Sequence, residues 1–103
     1  RGGAGHSTHY ASSKGAVVTL TMGVAREFVE HGIRAVSISP GPIDTAFQSI
    51  SSPQLKQSMT DDIPMKRMGT PQEIGEMVLF ICSDACEFMT ADTVYINGGG
   101  GFR

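Results

Sequence analysis

Apolar residues recur at helical spacing over the first third of the chain, with Val17, Leu20, Val24 and Phe28 on one stripe and Val18, Met22, Ala25 and Val29 on another. This pattern predicts a helix from about 9 to 31, and two stripes exceed the single one of a surface helix, so cover is expected on two sides. Ser7 or Thr8 is the expected N-cap, because either hydroxyl can accept an unpaired amide of the first turn. Gly32 is the expected stop, since the residue that closes a helix often takes a left-handed conformation.

The next run, Ile33-Arg34-Ala35-Val36-Ser37-Ile38-Ser39, is short and ends at Pro40-Gly41-Pro42. Its brevity and proline boundary favour a strand over a helix. Residues 45–68 are weakly patterned, with Ser49, Ser51, Ser52, Pro53, Asp61, Asp62 and Pro64 among them. They predict a mobile loop carrying one or two short helices, and such long irregular loops are usually functional or disordered. The clearest start signal follows: Thr70 as N-cap, Pro71 at the first helical position and Glu73 completing a Thr-x-x-Glu capping box. Ile74, Met77, Val78 and Ile81 supply the core stripe of that helix to about Ser83. Residues 93–97, Thr-Val-Tyr-Ile-Asn, predict a second strand stopped by the glycines at 98–101.

The order helix, strand, loop, helix, strand is that of an α/β unit with a parallel sheet, whose crossovers are helical. Two strands do not form an independently stable sheet, and a parallel sheet needs neighbours and cover on both faces. The missing strands are expected from an N-terminal half outside this sequence or from a partner chain. A start at Arg1-Gly2-Gly3-Ala4-Gly5, in a loop and without methionine, likewise suggests a fragment or processed piece.

A content of 40% hydrophobic and 17% charged residues suits one globular unit across residues 1–103. Eight basic and ten acidic residues lie scattered, with no basic block to follow a phosphate backbone, so nucleic acid is not an expected partner. The longest apolar stretch, near Met77 to Cys82, is too short to span a bilayer, and no signal segment opens the chain. A soluble cytoplasmic protein without membrane contact is expected. Cys82 and Cys86 are spaced for a metal pair, but His6, His9 and His31 are remote and no Cys-x-x-Cys exists, so no metal is expected.

Tyr10-Ala11-Ser12-Ser13-Lys14 sets a phenol and an ammonium one turn apart on one helix face. A tyrosine titrates near 10, about three units too high for acid–base work at neutral pH. A positive charge about 4 Å from the phenolate is worth on the order of 4 kcal/mol at an effective dielectric near 20, and one pKa unit is about 1.4 kcal/mol. The lysine would therefore bring the phenol near neutrality. On spacing alone, the pair reads rather as a helix start with an exposed lysine and a packed tyrosine. Pro40-Gly41-Pro42 alone reads as a strand-ending turn.

The passage Tyr10-Ala11-Ser12-Ser13-Lys14-Gly15-Ala16-Val17 resembles the Tyr-x-x-x-Lys active-site helix of the short-chain dehydrogenase/reductase family. Three further passages match that family in order: 33–39 with Pro40-Gly41-Pro42-Ile43-Asp44-Thr45, then Gly69-Thr70-Pro71-Gln72-Glu73-Ile74, then Phe80-Ile81-Cys82-Ser83-Asp84 leading to 93–99. The resemblance covers nearly the whole chain. It implies the C-terminal portion of a doubly wound Rossmann-type parallel sheet, incomplete in this chain. It also implies hydride transfer between NAD or NADP and the carbonyl or secondary alcohol of a small-molecule substrate.

By the same resemblance, Tyr10 is the general acid/base, Lys14 lowers its pKa and bonds the nicotinamide ribose, and Pro40, Gly41, Ile43 and Thr45 hold the nicotinamide. Residues 45–68 correspond to the substrate loop, where Phe47, Ile50, Met59 and Met65 would line an apolar pocket unless they are plain packing residues. His6 and His9 lie near Tyr10 but are not required by the family. Its catalytic serine, its asparagine, the glycine-rich pyrophosphate loop and the residues choosing NAD or NADP would all precede Arg1, and Ser7 is too close to Tyr10 to replace the serine. The isolated 103 residues are therefore expected to be inactive, and the full-length parent to be a homo-oligomer. The alternative is a non-catalytic oligomerisation or interaction fragment. A third reading is a small binding domain with a fortuitous Tyr-Lys pair.

Overall fold

The computed structural model describes residues 7–45 and 52–100. The first helix, α1, spans Thr8–Phe28 and tightens into a 3-10 turn over Val29–His31, so the helical segment ends where the apolar pattern does. Gly32 closes it at φ 73°, its amide donating to the Val29 carbonyl at 3.0 Å. Ser7 occupies the cap position, but its side chain makes no capping bond to the helix. The expected hydroxyl cap is thus absent, whereas the Ser7 carbonyl accepts the Ala11 amide at 3.0 Å.

Strand β1 is Val36–Pro40 and β2 is Asp92–Ile96, paired in parallel from Val36 opposite Asp92 to Pro40 opposite Ile96. β1 starts later than its apolar run because the preceding residues are committed elsewhere. The Arg34 guanidinium donates to the carbonyls of Ile81, at 2.8 Å, and Met89, while the Ala35 amide donates to the Thr90 hydroxyl. Pro40 remains in the ladder as its last residue, and the Gly41 amide extends the pairing by donating to the Ile96 carbonyl at 2.8 Å. A proline is tolerated at a strand end, where its missing amide removes little from the ladder. The Ser37 and Thr93 hydroxyls meet across the pair at 2.8 Å.

Two helices carry the crossover that parallel strands require. α2, Pro53–Asp61, lies inside the weakly patterned segment and is capped by the Ser52 hydroxyl, which accepts the Leu55 amide. α3, Pro71–Ile81, has the capping box at Thr70 and Glu73, with both reciprocal bonds formed.

The core is thin. Ala25, Ile63, Met68, Ile81 and Cys86 are the buried apolar residues among those described. Val18, Met22 and Ala25 turn inward, whereas Val17, Leu20, Phe28 and Val29 are exposed. The expectation of cover on both sides of α1 is therefore not met among the described residues, whose two strands are too few to wrap a helix of 21 residues. Val36, Ile38, Val94 and Ile96 are likewise only half-buried. Among the described residues, no helix is long and apolar enough to cross a membrane.

Candidate active site

Tyr10 and Lys14 stand one turn apart on α1, both exposed, Tyr10 at 58%. The ammonium lies over the phenol ring, 5.2 Å from its centroid, a cation–π arrangement that keeps the charge against the aromatic group. Thus the helix brings together the two residues that its spacing pairs.

The fold also sets the height of this pair relative to the sheet. Leu20, Thr21 and Val24 line one cleft with Val36 and with Ile81, so the middle of α1 is level with the start of β1. α1 then runs back along the strand, because only a short connection at Gly32 separates them. Lys14 precedes Val24 by ten residues, about 15 Å at 1.5 Å per residue, and β1 rises about 13 Å from Val36 to Pro40 at about 3.3 Å per residue. The N-terminal half of α1, with Tyr10 and Lys14, would then extend toward and past the carboxyl end of β1, where ligands of open α/β sheets sit.

Pro40, Gly41, Ile43 and Thr45 follow one another at that end. Gly41 is pressed against β2: a Cβ there would lie 2.8 Å from the Asn97 Cα. Ile43 forms an isolated parallel bridge with Gly69. The Gly69 amide donates to the Pro42 carbonyl at 3.0 Å, and the Asp44 amide donates to the Gly69 carbonyl at 2.9 Å. Alternation along extended backbone turns Ile43's own N–H and C=O to the other side. One donor beside one acceptor is the complement of a carboxamide, so these residues fit a nicotinamide. Thr45 is exposed at the end of the segment.

Sequence reasoning missed the partners of this segment, Gly69, Asn97 and Lys56, whose ammonium meets the Asp44 carboxylate at 3.0 Å, and it missed Arg67 beside them. A cleft of about 110 Å3 includes Pro42, Ile63, Arg67, Gly69, Glu73 and Asn97 in its lining. Arg67 donates to both Glu73 carboxylate oxygens, at 2.8 and 2.9 Å, and to the Met68 carbonyl at 3.0 Å. The capping box at Glu73 was legible as a helix start, but no spacing rule links it to Arg67, which lies outside the helix. Of the loop residues, Met59 is half-buried and Met65 exposed, while Phe47 and Ile50 lie outside the described residues, as does His6. Cys82 is an exposed and Cys86 a buried free thiol. No group of three His, Cys, Asp or Glu side chains able to hold a metal occurs among the described residues.

Hydrogen bonds from Arg67 above all, then from the Thr70 backbone, lower the Glu73 pKa from an ordinary 4.5 to about 2. A depressed carboxylate pKa contributes stability that is present above the unfolded value and lost as pH falls through the folded one. Acid titration from pH 4.5 toward 2 should therefore loosen the start of α3. In Glu73→Gln that acid step should vanish from the melting temperature plotted against pH; its persistence would assign it to another carboxylate.

Known proteins similar to this chain include several named as reductases or dehydrogenases. A family model described as enoyl-(acyl carrier protein) reductase matches residues 1–100. The FixR protein of Bradyrhizobium diazoefficiens is 41% identical over 90 residues, which cover 87% of this chain and 31% of FixR. The 7alpha-hydroxysteroid dehydrogenase of Escherichia coli is 38% identical over 94 residues, covering 90% of this chain and 37% of that enzyme. The crystal structure of the 3-oxoacyl-[acyl-carrier protein] reductase of Brucella melitensis superposes with a TM-score of 0.85 at 32% identity, covering 89% of this chain and 34% of that one. The chain thus spans about a third of the length of these proteins, and its two parallel strands correspond to part of a Rossmann-type sheet.

Proposed function

Because the chain belongs to the short-chain dehydrogenase/reductase family, we propose that it is the proton-transfer and nicotinamide-contacting segment of an NAD(P)-dependent oxidoreductase acting on a small carbonyl or secondary alcohol. The observation that supports this reading is the exposed Tyr10–Lys14 pair, its ammonium 5.2 Å from the phenol ring centroid, together with the Ile43 backbone turned away from Gly69. When bound, the nicotinamide supplies or accepts the hydride. Tyr10 gives a proton to the carbonyl oxygen during reduction and takes one from the hydroxyl during oxidation. Lys14 stabilises the phenolate by charge and donates to the ribose. Pro40, Gly41, Ile43 and Thr45 orient the carboxamide end, and residues 45–68 serve as the substrate loop.

The family's glycine-rich pyrophosphate loop and catalytic serine are not encoded in these 103 residues. The isolated chain is accordingly proposed to be inactive by itself, within a full-length protein that is a cytoplasmic homo-oligomer. Free thiols at Cys82 and Cys86 suit such a reducing compartment. A second reading, a non-catalytic association segment, is favoured by the exposed Leu20, Leu79, Phe80 and Phe88, since bare apolar surface promotes contact between chains.

Titration of the purified chain with NADH and NADPH, followed by nicotinamide fluorescence, separates these readings. Little or no saturable binding is expected from the folded chain alone, and binding that Lys14→Ala weakens is expected once the segment is part of a full-length protein. A full-length protein that binds neither nucleotide would overturn the oxidoreductase reading in favour of the association segment.

A further inference from the structure

We propose that Arg67 is a positioning residue for the nicotinamide segment: by clamping the neighbours of Gly69 it sets where residues 42–44 lie, an inference that rests on the function proposed above. The backbone of the 42–44 segment is tied to Gly69 by two bonds, the Gly69 amide on the Pro42 carbonyl and the Gly69 carbonyl on the Asp44 amide, while the Asp44 carboxylate pairs separately with the Lys56 ammonium at 3.0 Å. Gly69 has no side chain with which to hold itself, and a Cβ there would come within 2.8 Å of Ile43 Cδ1. Its position is decided by the residues on either side.

Those residues converge on one guanidinium and one carboxylate. On the near side, Arg67 donates to the Met68 carbonyl, and Met68 is buried. On the far side, the Thr70 amide and hydroxyl both donate to Glu73 Oε1, at 3.0 and 3.2 Å. Arg67 bridges the two sides by gripping both oxygens of that carboxylate. A two-pronged guanidinium–carboxylate pair fixes orientation as well as distance. The approach of Arg67 is itself set by Lys66, which takes a left-handed φ of 61° and donates its amide to the Ile63 carbonyl. Removing the fork would leave Gly69 free to shift, and the Ile43 N–H and C=O would move with it.

The test compares wild type, Arg67→Met and Arg67→Lys in a full-length protein carrying this chain, by amide hydrogen exchange and nucleotide kinetics. In Arg67→Met, exchange in peptides covering 41–45 and 67–70 is expected to rise about two- to five-fold, the upper part of the range for an exposed charged pair of good geometry, while peptides of β1 and β2 keep their protection. The KM for the dinucleotide should rise by a similar factor, with a smaller change in kcat. Lysine keeps the charge without the fork, so Arg67→Lys should recover part of both effects. Unchanged exchange at 41–45 would overturn the proposal, and so would an equal rise throughout β1 and β2, which would make Arg67 a general stabiliser. Exchange that opens locally with KM unaltered would overturn the link to the nicotinamide. A wild type that binds no nucleotide fails the functional reading instead, and is recognised before any variant is compared.

Discussion

Tyr10→Phe is expected to lower turnover by about a hundred- to ten-thousand-fold in a full-length protein carrying this segment, the range that positioned proton transfer contributes. The substitution removes one oxygen and leaves the ring that Lys14 covers at 5.2 Å from its centroid. Little else depends on that oxygen structurally, because Tyr10 is 58% exposed. Nucleotide affinity should change by only a few-fold, since Lys14 and the 40–45 segment remain. Steady-state kcat and the nucleotide Kd, measured on the same preparation, separate the two effects. A variant that keeps more than a tenth of its turnover would remove Tyr10 from the proton-transfer role and leave the spacing of Tyr10 and Lys14 as a surface feature.

Gly41→Ala is expected to cost about 1–3 kcal/mol, as overpacking in a close contact does, and so to lower the melting temperature by several degrees. A Cβ at Gly41 would meet the Asn97 Cα at 2.8 Å and Cβ at 2.9 Å, and a backbone atom cannot turn aside as a flexible side chain can. The strand ends must then separate, breaking the bond from the Gly41 amide to the Ile96 carbonyl. Gly75→Ala is the matched control: it lies inside α3 and a Cβ there meets nothing within 4 Å. It should stabilise by about 0.4–1 kcal/mol, because alanine narrows the unfolded ensemble without a native clash. The two alanines should therefore shift thermal melting in opposite directions. A Gly41→Ala protein that melts with wild type would show that β1 and β2 part at little cost.

Elements written in neighbouring residues were legible before the fold was known. The start of α3 is an example: Thr70, Pro71 and Glu73 lie within one turn, so the bonds that begin the helix form whatever surrounds it. Gly32 stops α1 for the same reason, as its left-handed φ is a property of the residue. Strand limits were less legible. β1 loses its first three expected positions because Arg34 and Ala35 bond to Ile81, Met89 and Thr90, residues far along the chain whose approach no local pattern announces. The Ser7 hydroxyl fails as a helix cap although its residue type suits one, since capping depends on the path by which the chain enters.

The same division runs through the candidate site. The sequence by itself determined that Tyr10 and Lys14 share a helix face, because a 3.6-residue period places positions four apart together. It also determined that a strand ends at Pro40 and Gly41, where the chain must turn. Only the tertiary structure decided that Ile43 would bridge Gly69, that Gly41 would press on Asn97 and that Arg67 would grip the capping box of α3. Each of those contacts joins segments whose meeting depends on the whole crossover between β1 and β2. Pairing across a crossover is set by the parallel register and by how closely small residues let backbones approach, quantities that no short-range periodicity contains.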